Sequence, residues 1–231
     1  MRKVKLSKRL KKVAGFVKED ELILDIGSDH AHLPIYLIQE NLIPAAIAGE
    51  LVQNPYKTAV KEIARYNLTD KISIRLGSGL DVLEVEEKMG SIFICGMGGF
   101  LISNIVEKGL KDKKIGKDTR LILQANKKEK ELRKSLAYFG FEIIKEAIVK
   151  ENNKYYEIIV ATRKDSKISY NENELIFGPR LLEKRSQLFI EKWTKTLRNN
   201  QQILKKLNQR KHSTKKEELR KLNQKIKKVI K

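Results

Sequence analysis

Five short apolar runs punctuate the first 125 residues: LILDIG (Leu22 to Gly27), AAIAGE (Ala45 to Glu50), KISIRL (Lys71 to Leu76), SIFICG (Ser91 to Gly96) and RLILQA (Arg120 to Ala125). Each reads as a strand buried on both faces, and the stretches between them read as helices. Strand and helix in alternation predict parallel βαβ units with helices covering both sides of one sheet. Between Gly140 and Arg163 the pattern changes to two longer strand-like runs around Asn152-Asn153, a pair suited to a tight hairpin turn. The expected fold class is therefore α/β, a mostly parallel seven-stranded sheet finished by an antiparallel hairpin.

The polar stretch Lys164 to Ser169 then reads as a linker that divides the chain into 1–164 and 165–231. Asn171 and Glu174 have the spacing of a capping box, and Phe177-Gly178-Pro179 interrupts the helix they open. Leu182, Phe189, Trp193, Ile203 and Leu207 fall near a heptad seam. Lys211 to Thr214 breaks that pattern, Thr214 with Glu217 reads as another capping box, and Leu219, Leu222, Ile226 and Val229 stripe a last helix. Two helices joined by a short polar turn predict an antiparallel coiled-coil hairpin. The linker's polarity predicts that the sheet is complete by Arg163 and folds without the hairpin. At the other end, Leu6, Leu10, Val13, Ala14 and Val17 predict a short helix docked by its apolar face, with its Lys and Arg side chains toward solvent.

Charge adds a partner to this outline. The 231 residues carry 49 Lys and Arg against 29 Asp and Glu, a formal net charge of +20. Such a surplus favours a polyanion, although a lysine-rich composition produces the same surplus without one. From Asp165 onward there are 19 basic against 7 acidic residues, so over half of the surplus sits on the helical appendage and points to an RNA grip. The single cysteine, Cys95, excludes an intramolecular disulfide and a Cys-based zinc cluster, and no secretory segment opens the chain; a reducing cytoplasm is expected. No run approaches the roughly 18 apolar residues of a membrane span, and no obligate protein partner is evident.

The loop after the first strand, DIGSDHAHLP, carries the candidate chemistry. Asp25 closes the strand, Gly27 permits the sharp turn, and Ser28 and Asp29 follow before a helix expected near Ala31, at the end of the sheet where open α/β folds bind ligands. A pyrophosphate site would show several glycines here and no acids. One glycine and two aspartates suit a cation instead, and S-adenosylmethionine carries both an ammonium and a sulfonium. Glu50, followed by Leu51, ends the second strand where a carboxylate accepts ribose hydroxyls. Ser78, Gly79 and Leu80 supply backbone groups around an adenine ring. Gly96, Met97, Gly98 and Gly99 form a loop that lets a substrate base approach the backbone, or simply a structural turn. Asn54-Pro55-Tyr56 imitates the catalytic loop of amino-group methyltransferases but follows the wrong strand; it reads as a cap for a helix from Pro55 to Tyr66. His30 and His32 lack the ligand spacing of a metal site, so no metal is expected.

Together these segments resemble the TrmK family, bacterial tRNA methyltransferases that act on N1 of adenine 22. The resemblance runs from LSKRL through DIGSDHAHLP, the Glu50 to Ala59 segment, GSGL, CGMGG, LILQAN and YYEIIVA to the FGP entry of the coiled coil. It implies a class I, Rossmann-like methyltransferase fold, S-adenosylmethionine as cofactor with S-adenosylhomocysteine as product, and tRNA as partner. It also implies a cofactor site of Asp25, Gly27, Ser28, Glu50, Leu51, Ser78, Gly79, Leu80, Gly96 and Met97, with Gly98 and Gly99 facing the target base. Ser78 stands where the family commonly has an acid, which leaves the cofactor's N6 to a backbone acceptor.

Adenine N1 has an in-plane lone pair, so transfer needs alignment and stabilisation of the cationic product ring, not a strong base. Asp29 is the expected carboxylate, accepting from N6–H and opposing the new charge, with His30 as a positioning group; both residues equally suit the cofactor's methionine end or a helix cap. Lys5, Lys8 and Arg9 are expected to hold phosphates. The residues alone leave open another RNA, DNA or protein acceptor, and a silent cofactor-binding module that only grips RNA.

Overall fold

The computed structural model describes residues 3–207 and 212–231. Five parallel strands, β1 (Ile23–Ile26), β2 (Ala46–Glu50), β3 (Ile72–Leu76), β4 (Ser91–Met97) and β5 (Arg120–Ala125), are followed by the hairpin β6 (Phe141–Glu151) and β7 (Lys154–Arg163). The sheet order is β3-β2-β1-β4-β5-β7-β6, with β7 antiparallel to both neighbours. The predicted seven-stranded architecture is therefore present, with strand ends within a residue or two of expectation. Asn152 and Asn153 both adopt positive φ, 47° and 60°, as the hairpin turn requires.

Helices cover both faces. α1 (Lys8–Ala14), α2 (His32–Gln39) and α3 (Gln53–Arg65) lie on one side, where Ile23, Phe93 and Ile122 meet Val13, Ile35 and Ile63. α4 (Gly99–Lys111) and α5 (Glu129–Tyr138) lie on the other, where Leu24, Ile94 and Leu123 meet Ile102, Val106 and Leu132. Successive strand residues thus feed opposite cores, which explains why these strands read as continuous apolar runs. Asp25 is the polar residue of β1, whose four residues are all buried.

Two caps differ from expectation. Asn54 does not cap its helix: α3 starts at Gln53, and the Glu50 carboxylate holds the entry by accepting from the Leu51 and Val52 N–H groups at 2.9 and 3.0 Å. Thr214 lies inside α9 (Ser213–Val229), whose first helical bond already runs from Lys216 N–H to the His212 carbonyl, so the proposed box with Glu217 does not form. Asn171 and Glu174 do make the reciprocal box that opens α6 (Glu172–Phe177). Of the Lys211 to Thr214 break, Lys211 lies outside the described residues.

The C-terminal helices are more tightly joined to the sheet than their polar linker predicts. α6, α7 (Pro179–Lys184), α8 (Gln187–Lys206) and α9 bury Phe177, Leu181, Phe189, Trp193, Ile226 and Val229 against Ile148 of β6, with Tyr155 of β7 beside them. Phe177 meets Trp193 edge-on at 4.6 Å between ring centroids, a geometry worth about 0.5–1.5 kcal/mol beyond the area buried. α8 and α9 do pair, but the seam departs from pattern. Ile203 is exposed, and Asn200 and Asn223 form a buried amide pair at 2.9 Å in its place.

Beneath that core lies a charge cluster. Arg133 of α5 is fully buried; its Nε donates to Glu146 Oε1 at 2.9 Å, its Nη2 pairs with Glu157, and its Nη1 donates to the Leu175 carbonyl at 3.2 Å. Lys192 of α8 closes the set by pairing with the other Glu157 oxygen, and Glu146 accepts the Arg180 N–H at 2.9 Å. Two cations and two carboxylates thus tie α5, both hairpin strands and the C-terminal helices together.

Candidate active site

The carboxyl ends of β1 and β4 open onto a cavity of about 340 Å³ lined by Arg9, Leu10, Asp25, Gly27, Ser28, Asp29, His30, His32, Leu33, Cys95, Gly96 and Met97. Larger space exists between α5, α6, α8 and α9, but its walls are the charged flanks of the helical packing and hold none of the β1-loop residues. The smaller cavity sits where the topology places ligands, beside the central strands.

Asp25 is its chemical centre. The side chain is buried and accepts a hydrogen bond from Ser28 Oγ at 2.5 Å. No cation is paired with it among the described residues. Burial pushes its carboxyl up to about 7, the Ser28 bond pulls the other way, and the nearby Glu50 charge adds to the rise. A carboxylate so placed is incomplete without a cationic partner. Gly27 makes the room: its φ of +70° suits glycine, and a Cβ there would lie 2.4 Å from Met97 Cε. These features fit the ammonium and methionine arm of S-adenosylmethionine.

The nucleoside half of the expected site lies beside this cavity, on a more open shelf. The Gly27 N–H donates to the Gly49 carbonyl and the Gly77 N–H to the Glu50 carbonyl, both at 2.9 Å, which sets the three strand ends side by side. Glu50 is buried and uses Oε1 for the two backbone donors of the α3 entry, so Oε2 is the oxygen left for ribose hydroxyls. Leu51 and Ser78 are exposed on the shelf. The Leu80 side chain, by contrast, is in the core beneath α4, so only its backbone faces this region. Asp81 offers no replacement for the acid absent at Ser78, because Lys108 Nζ occupies it at 2.5 Å.

Asp29 and His30 form a short 3-10 turn leading into α2, which begins at His32, one residue from the expected Ala31. His30 and Ala31 both have positive φ, 60° and 53°, a backbone that L-residues hold only under constraint. The turn carries the Asp29 carboxylate out to solvent, 3.2 Å from His30 Nε2, and stacks His30 on His32 at 5.3 Å. Burial and then the neighbouring His30 hold the His32 imidazole below its usual range.

Several sequence expectations separate here. Lys5 and Lys8 are exposed but do not line the cavity; the Lys8 backbone N–H is held by Glu151 at 2.6 Å. Arg9, expected to face solvent, turns inward, lies 5.3 Å from the centre of the Tyr156 ring and bonds to Gln124. Gly99 is set by packing: its N–H donates to the Lys127 carbonyl at 2.9 Å, and a Cβ would collide with the Lys128 carbonyl at 2.3 Å. Gly98 precedes it at the rim. Leu10, His32, Leu33 and Cys95 of the wall went unassigned, as did Asn126, whose Nδ2 donates to the Gly96 carbonyl at 2.6 Å. The LILQAN segment was visible as a motif, but nothing in the sequence says that its amide reaches β4.

The matching family model is TrmK, tRNA (adenine(22)-N(1))-methyltransferase, over residues 23–231. A curated Bacillus subtilis tRNA (adenine(22)-N(1))-methyltransferase is 38% identical over 213 residues, 90% of this chain and 88% of that protein. A Streptococcus pneumoniae protein crystallised with S-adenosyl-L-methionine superposes with a TM-score of 0.89 at 38% identity, over 98% of this chain and 100% of that one. The M. capricolum TrmK, solved with S-adenosyl-homocysteine, gives 0.85 at 30% identity over 98% and 99% of the two chains.

Proposed function

Because the chain belongs to the TrmK family, the tRNA (adenine(22)-N(1))-methyltransferases, we propose that its cavity carries the transfer of a methyl group from S-adenosylmethionine to N1 of adenine 22 in tRNA. The observation that carries this reading is the buried, cation-free Asp25 beside the Gly27 opening. The cofactor supplies an electrophilic methyl group on a sulfonium. The chain's residues supply placement: Asp25 holds the ammonium, Glu50 Oε2 the ribose, and the backbone of Ser78 to Leu80 the adenine edge. At the open side, Asp29 and His30 face the incoming base. As the N1 lone pair becomes an N–C bond the ring turns cationic, and the Asp29 carboxylate opposes that charge without taking a proton.

The target nucleotide must leave its stack to reach the cavity, which costs a few kcal/mol. The +20 surplus supplies attraction for the RNA backbone. Among the described residues no helix is long and apolar enough to cross a membrane, and the proposed tRNA substrate supports a cytoplasmic setting. The test is transfer from labelled cofactor to unmodified tRNA, followed by nucleoside digestion and mapping. The expected product is N1-methyladenosine at position 22 and nowhere else. Label in another nucleotide overturns the position, and no transfer at all leaves a binding module.

Replacing Glu50 with alanine is expected to weaken S-adenosylhomocysteine binding by about tenfold to a hundredfold, as for a lost charge-assisted contact. tRNA affinity should be nearly unchanged. Calorimetric titration with each ligand checks both, and unchanged cofactor affinity sinks the ribose assignment.

A further inference from the structure

Resting on that reading, we propose that Asn126 selects adenine at the target position, its Oδ1 accepting a hydrogen bond from the N6 amino group. Gln124 fixes the direction in which the Asn126 amide points.

The argument is one of donor and acceptor polarity along a single chain of groups. Arg9 Nη1 bonds to Gln124 Oε1, Gln124 Nε2 donates to Asn126 Oδ1 at 3.2 Å, and Asn126 Nδ2 donates to the Gly96 carbonyl at 2.6 Å. A guanidinium only donates and a backbone carbonyl only accepts. With a pure donor at one end and a pure acceptor at the other, both intervening amides have one orientation; turning either sets like groups against each other. The lock is stiff, because Gln124 is fully buried and Arg9 is stacked on Tyr156.

Asn126 itself is exposed at the end of β5. Its Nδ2 side touches Gly96, a wall residue of the catalytic cavity, and its other flank borders a cleft of about 300 Å³ with Tyr155, Tyr156 and Lys195. An amide oxygen has two lone pairs, and Gln124 uses one. The second is a fixed acceptor beside Gly96 of the cavity wall. Adenine presents an N–H donor at N6 next to the N1 lone pair. Guanine and inosine present a carbonyl there, which an aligned amide oxygen repels. As N1 gains its methyl group the ring becomes cationic and N6–H a stronger donor, so the bond strengthens in the transition state. Loss of Asn126 should therefore appear mainly in kcat.

The test compares tRNA carrying adenosine at position 22 with the same tRNA carrying purine riboside, which keeps N1 but lacks the amino group. For Asn126→Ala, kcat on the adenosine tRNA is expected to fall by about tenfold to a hundredfold, with the purine rate little changed, so the adenosine-to-purine ratio collapses. Gln124→Glu is the positioning control. It keeps size and pairs with Arg9, but presents an acceptor to Asn126 and turns the amide. The ratio should collapse there too although Asn126 is present. S-adenosylhomocysteine affinity, measured in parallel, should stay within twofold of the parent in both variants. A parental ratio retained in either variant overturns this assignment while leaving the methyltransferase reading intact. A parent enzyme that does not methylate adenosine 22 removes the premise instead.

Discussion

Arg133→Met is expected to destabilise the protein by about 3–5 kcal/mol, the usual result of removing one member of a buried ion cluster. The guanidinium is fully enclosed and contacts Glu146, Glu157 and the Leu175 carbonyl. Methionine fills much of the volume but leaves two carboxylates facing one ammonium, that of Lys192. Burial already pushes the Glu146 carboxyl up, while Glu157, against its own burial, is held down by Arg133 and Lys192. Without Arg133 both titrate higher. The variant's folded state then binds protons that its unfolded state has released above about pH 4, so its deficit grows as pH rises. Urea unfolding of parent and variant at pH 5 and pH 8 checks size and sign, and a deficit below 1 kcal/mol at pH 8 would sink the account. Adding Glu146→Gln to the variant should recover part of the loss by removing a stranded charge. The same geometry predicts that a chain ending before Tyr170 is destabilised: it loses Lys192, the Leu175 carbonyl and the Arg180 N–H, and bares Ile148.

The other large effect concerns Asp25. Asp25→Asn should weaken S-adenosylmethionine binding by about a hundredfold, since a buried charge-assisted contact to the ammonium is replaced by a neutral one. The pH profile gives the mechanism away. With the carboxyl at about 7 in the free protein, binding the ammonium must expel a proton below that pH. The parent's affinity therefore falls up to tenfold per unit as pH drops below about 7, and it falls again above roughly 8 as the cofactor's α-amino group loses its own proton. The asparagine variant should lack the acid limb. Stability moves the opposite way. Between the unfolded value near 3.9 and the folded value, the native state holds a proton the unfolded chain has shed, so the free parent loses up to about 4 kcal/mol as pH rises through that window. Asparagine has nothing to ionise, so the variant without cofactor should melt higher than the parent at pH 8. Calorimetry across pH 5.5–8.5 and thermal melts settle both. An acid limb retained in the variant assigns the titration to another group.

The sequence by itself determined the sheet, because strands buried on both faces must be largely apolar, and the runs ending at Gly27, Glu50, Gly96 and Ala125 are so, with only a few polar positions such as Asp25 and Gln124. It determined the turn at Asn152-Asn153 and the capping box at Asn171 and Glu174, which are local backbone chemistry. It also placed Asp25, Gly27 and Glu50 at the ligand end of the sheet, since topology fixes where strands terminate. What only the tertiary structure decided are pairings between distant residues of ambiguous type. Arg9 sits among surface-like lysines and finds Gln124 at a separation of 115 positions; nothing local distinguishes it from Lys8. Arg133, Glu146 and Glu157 are charged residues that the sequence alone does not assign to the interior. They are buried because the C-terminal helices close over them, and a polar linker does not reveal that closure. Charge in a sequence predicts solvent by default; only the partner that arrives from elsewhere in the fold turns it inward.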